Sequence, residues 1–90
     1  MPRYLIERSF PKGFAIPIGG AGADACATVV RINAEEGVTW VHSYVSEDKS
    51  QTFCVYDGPT PESVRRAAER NKLPITRITE VRVLDPYFYL

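Results

Sequence analysis

Apolar and polar positions alternate with period two near the start of the chain. From Arg3 to Ser9, Tyr4 and Ile6 fall on one side and Leu5 and Glu7 on the other, which predicts a first strand. Phe10-Pro11-Lys12-Gly13 breaks the pattern, and the Pro- and Gly-containing stretch up to Gly22 reads as a loop. Asp24 to Glu36 has helical spacing. Ala25, Val29 and Ile32 share one face, Cys26 and Val30 flank it, and Gly37 offers a left-handed stop. Two strand-like runs follow, Val38 to Val45 and Thr52 to Tyr56, joined around Glu47-Asp48-Lys49-Ser50 as a β-hairpin. Thr60-Pro61-Glu62 is a strong helix start: Thr60 caps, Pro61 suits the first helical position, and Glu62 complements the dipole. Val64, Ala67 and Ala68 form that helix's apolar stripe, Arg65, Arg66 and Arg70 its wet side, and Asn71 and Pro74 end it. Ile78 to Leu84 alternates again, and the aromatic ending Asp85 to Leu90 is expected to pack on something.

The order β-α-β-β-α-β predicts an α+β fold: a ferredoxin-like βαββαβ sandwich, one domain over residues 1–90. Both helices cover one face of an antiparallel sheet, so the other face must be wet, bound or covered by a second subunit. Placing Val41 and Val45 with Phe53 and Val55 in the core requires a hairpin loop of odd length. That register puts Trp40, His42, Tyr44, Cys54 and Tyr56 together on the open face. Tyr4 and Ile6, with Val81 and Val83, suit the core. Leu5, Glu7, Glu80 and Arg82 then join the open face.

Composition narrows the reading. With 90 residues the chain buries roughly 60–65% of its unfolded surface, which leaves little margin and favours covering a second face. Eleven basic and eleven acidic residues cancel, so no net field steers nucleic acid or an anionic membrane toward it. The third strand also lacks the basic, Gly-containing aromatic motif of RNA-recognition domains that share this strand order. Cys26 and Cys54 make no disulfide framework, and neither a signal segment nor a membrane span is apparent. The expected compartment is the cytoplasm. Gly20-Ala21-Gly22-Ala23-Asp24-Ala25 loosely matches a dinucleotide fingerprint but follows a loop instead of a strand, so it is discounted.

The candidate chemistry lies on the expected open face. His42, the only histidine, suits a metal ligand or an acid/base group; the plainer role is a half-buried, hydrogen-bonded interface residue. Cys54 is a candidate thiolate ligand or nucleophile, or else a small buried hydrophobe. Glu7 and Glu80 are candidate oxygen ligands, or partners for Arg8 or Arg82. Trp40, Tyr44 and Tyr56 would line a ligand cavity or pack a dimer. The candidate metal set is therefore His42, Glu7, Cys54 and Glu80.

Four segments resemble a known family: Pro2 to Arg8, Gly37 to Ser46, Thr52 to Asp57 and Ile78 to Pro86. They look like a bacterial family of small proteins of unassigned function that includes a nickel-binding member. The resemblance implies a dimeric α+β barrel, in which two sheets face each other, and a cytoplasmic homodimer that binds a divalent metal, nickel first. Zinc and copper also suit imidazole, carboxylate and thiolate donors. The alternative is a dimeric α+β barrel enzyme of isomerase or monooxygenase type. In that reading His42 is the acid/base and the aromatic residues hold a small aromatic or hydrophobic ligand.

Overall fold

A computed structural model describes residues 1–13 and 20–89. Its order is β1 (Arg3–Ser9), α1 (Gly20–Glu35), β2 (Thr39–Val45), β3 (Gln51–Asp57), α2 (Pro61–Arg70) and β4 (Arg77–Val81), with a short 3-10 turn at Pro86–Tyr89. The four strands form one antiparallel sheet in the order β2-β3-β1-β4. This is the ferredoxin-like α+β arrangement.

Local chemistry explains the element ends. Thr60 is extended and its hydroxyl accepts from the Ser63 amide at 3.1 Å, with Pro61 at the first turn of α2. Asn71 closes α2, its amide donating to Ala67 O. Gly37, at φ 71°, ends the turn after α1 in the left-handed region where a Cβ would be strained. The hairpin closes through the Ser46 amide, which donates to Gln51 O at 2.9 Å. Asp48 holds the turn: its Oδ1 accepts from the Ser50 amide and from the hydroxyls of Ser50 and Ser46.

The core lies between sheet and helices. Tyr4 and Ile6 from β1 meet Cys54 and Tyr56 from β3, Val38, and Val64 and Ala67 from α2; Trp40, Ile75 and Ile78 pack around them. Two basic residues of α2 tie the helices together at the surface, Arg70 to Glu35 at 2.7 Å and Arg66 to Glu36 at 3.2 Å. Helix α1 differs from expectation. Gly22 and Asn33 are buried and Cys26, Val29 and Ile32 half-buried, while Ala25 is exposed and Val30 lies outward. The stripe turns on Asn33, a polar residue that apolar periodicity does not register. The aromatic ending also departs from expectation at Tyr87, which is 80% exposed.

Candidate functional site

Register decides which side chains share the open face, and here the expected faces change. In β1, Tyr4 and Ile6 are buried against the helices, while Leu5 and Glu7 face the open side, as the alternation predicts. In β3 the parity is the reverse of that expected. Tyr56 pairs with Tyr4 and Cys54 with Ile6, so both are buried on the helix side, and Phe53 and Val55 face outward opposite Glu7 and Leu5. The hairpin loop has four residues, Glu47 to Ser50, and an even loop inverts the pairing parity. In β4, Ile78 pairs with Ile6 and Glu80 with Tyr4, so Glu80 lies on the helix side. Burial, and then the nearby Glu80 carboxylate, push the Tyr4 phenol above its ordinary range. Val81 faces the open side, and Val83 lies exposed beyond the strand end.

A bulge in β2 sets the last positions. Trp40 pairs with Tyr56, but the next pair is His42 with Val55, so Val41 is an extra residue. Trp40 therefore turns toward the helices while His42 and Tyr44 face the open side. One hydrogen bond confirms the turn: Trp40 Nε1 donates to Ser43 Oγ at 2.8 Å. On a regular strand, residues three apart point to opposite faces.

The candidate metal set is thus divided. His42 and Glu7 share the open face; Cys54 and Glu80 belong to the helix-covered side. Cys54 is a small buried side chain whose Sγ donates to Thr52 Oγ1 at 3.7 Å. Of the three candidate lining aromatics, only Tyr44 is on the open face. It is 62% exposed and meets the His42 ring edge-on, with centroids 5.2 Å apart. Arg82, expected on the open face, lies past the end of β4.

The open face has an apolar middle of Leu5, Phe53, Val55 and Tyr44. At one end Arg3 grips Asp57 through two bonds, Nε to Oδ1 at 2.7 Å and Nη2 to Oδ2 at 3.1 Å. The hydrogen bond to Arg3 and then its charge hold the Asp57 carboxyl below the usual range. Glu7 takes part in none of the ion pairs found among the described residues, although Arg77 lies across from it on β4. His42 sits in the row of Val55 and Leu5, and Glu7 in the row of Phe53 and Tyr44. Two strand spacings and a two-residue offset put their Cα atoms roughly 12 Å apart. No group of three or more His, Cys, Asp or Glu side chains converges among the described residues. The described donors of one chain therefore do not fit a metal ion by themselves.

Comparison with known proteins adds the family. No curated protein matches the chain. The fold is similar to the crystal structure of SCO4226 from Streptomyces coelicolor A3(2), with a TM-score of 0.71 and 18% identity, covering 92% of this chain and 99% of that one. At this identity the likeness is one of fold. No helix among the described residues is long and apolar enough to cross a membrane. Residues 4–81 match the family described as nickel responsive protein SCO4226-like, and the chain belongs to that family.

Proposed function

We propose that this chain acts as a cytoplasmic homodimer that binds a divalent transition metal, nickel first, between two open sheet faces. The observation that supports it is the position of the only histidine. His42 stands on the uncovered side of the sheet, at the edge of an apolar patch, in a chain of a nickel-responsive family. Two such faces packed about 10 Å apart would bury Leu5, Phe53, Val55 and Tyr44. They would also bring a second His42 and a second Glu7 to the first pair. That second copy supplies what one chain lacks, because one imidazole and one distant carboxylate make a weak site. With Cys54 on the other side, the open face offers nitrogen and oxygen donors alone. Such a set suits nickel(II), zinc or copper(II) better than copper(I).

Titration calorimetry with nickel on tag-free protein, run beside His42→Ala, tests this reading. The expected result is saturable binding at one nickel per two chains, lost in the variant while its circular dichroism is unchanged. Equal affinity in His42→Ala, or full binding by a monomer, contradicts it.

A further inference from the structure

We propose that Arg8, Tyr56 and Asn33 form a buried seat for a small carboxylate anion between the sheet and the helices. Arg8 is 3% exposed and Asn33 1% exposed. Arg8 Nε is a buried donor with no partner, and the buried Asn33 Nδ2 makes at most a weak approach to the Tyr56 hydroxyl. Buried donors are almost always satisfied, and a buried guanidinium is ordinarily paired with a negative group. Among the described residues no carboxylate is within ion-pair distance of Arg8.

The geometry says which way the seat faces. Arg8 Nη1 donates to Pro74 O at 2.9 Å, which fixes the guanidinium. Nη2 reaches the Tyr56 hydroxyl only at 3.4 Å, long for a charged donor. The Nε–H and one Nη2–H lie along the same edge of a guanidinium, the edge that takes the two oxygens of a carboxylate side by side. In Arg8 that edge has one donor free and the other weakly used. The Asn33 amide is oriented by its own acceptor: Asn71 Nδ2 donates to Asn33 Oδ1 at 3.2 Å, which leaves Nδ2 turned away from that bond. Asn33 also neighbours Tyr56; burial pushes that phenol up, so it stays a neutral O–H, and the Arg8 charge and Asn33 amide oppose the rise. The cluster thus holds one positive charge and several donors and lacks a negative acceptor. A monovalent carboxylate supplies two oxygens for the Arg8 edge and cancels the charge; a divalent anion would leave a buried excess.

The test is a titration of the uniformly 15N-labelled full chain with sodium formate, ionic strength held with sodium sulfate. The signals of Arg8 Nε–H and the Asn33 side-chain amide are expected to shift together and to saturate. Asn33→Asp places a carboxylate in the seat while keeping the acceptor for Asn71. In that variant the Arg8 Nε–H should be shifted without formate and should no longer respond to it. A linear, unsaturated drift in the wild type overturns the proposal. So do unmoved signals, as expected if a water bridges the donors.

Discussion

Removing Val41 tests the geometry that points His42 outward. Val41 is the extra residue of the β2 bulge and is 39% exposed. Its partial burial contributes about 1 kcal/mol. Shortening the chain by one residue saves about 1–2 kcal/mol of ordering entropy. The ladder becomes regular: Trp40 stays opposite Tyr56, His42 becomes the next residue and stays opposite Val55. The deletion should therefore leave stability within about 1 kcal/mol of wild type. If β2 were regular through this region, the same deletion would turn half of the strand over. Trp40 would leave the core at about 2–3 kcal/mol, and its bond to Ser43 would be lost at about 1 kcal/mol. Urea unfolding followed by fluorescence separates the two outcomes, because Trp40 is the sole tryptophan. An unchanged emission maximum and midpoint support the bulge. A red-shifted native spectrum with a loss of about 3 kcal/mol or more refutes it.

Three further outcomes follow from the packing and the caps. Gly58→Ala places a Cβ 3.2 Å from Val64 Cγ2 and 3.3 Å from Val38 Cγ2, both on stiff buried side chains. Overpacking costs about 1–3 kcal/mol against about 0.4–1 kcal/mol gained from a stiffer unfolded chain, so thermal unfolding should show a net loss of about 1–2 kcal/mol. Thr60→Ala removes the α2 cap and should cost about 1 kcal/mol in chemical denaturation, with Thr60→Ser close to wild type. The Ser50 amide, then the Ser50 and Ser46 hydroxyls, draw the Asp48 carboxyl from 3.8 down to about 2. Its contribution is whole above the unfolded value and disappears as pH falls through the folded one. Stability measured by circular dichroism should thus decline from about pH 4 to pH 2, and Asp48→Asn should flatten that slope.

The fold was legible because local signals and global pattern agree. Thr60-Pro61 marks the start of α2, Gly37 follows α1, and the alternation in β1 assigns Tyr4, Ile6, Leu5 and Glu7 to the faces they occupy. Faces beyond β1 were less legible for a physical reason. Side-chain direction in a strand has period two, so one residue of uncertainty in a loop or ladder inverts it. Phe53 and Val55 are as apolar as Cys54 and Tyr56, and pattern alone does not choose between them. The four-residue turn does, through Ser46 and Gln51. The Val41 bulge leaves no compositional mark, yet it separates Trp40 from His42. In β4, Ile78 and Val81 have opposite parity, and the ladder places Ile78 inside beside Ile6. The polar cluster of Arg8, Asn33 and Tyr56 was equally hidden, because buried Arg and Asn read as surface residues in a sequence.

The most direct test of the metal reading uses the broadening of amide signals by paramagnetic nickel. Substoichiometric nickel added to the tag-free 15N-labelled protein should first erase the signals of His42, Val55 and Leu5 and of their open-face neighbours. Broadening centred instead on the helix behind the sheet, at Val64 and Ala67, or spread with no centre, would contradict a metal held between open faces at His42.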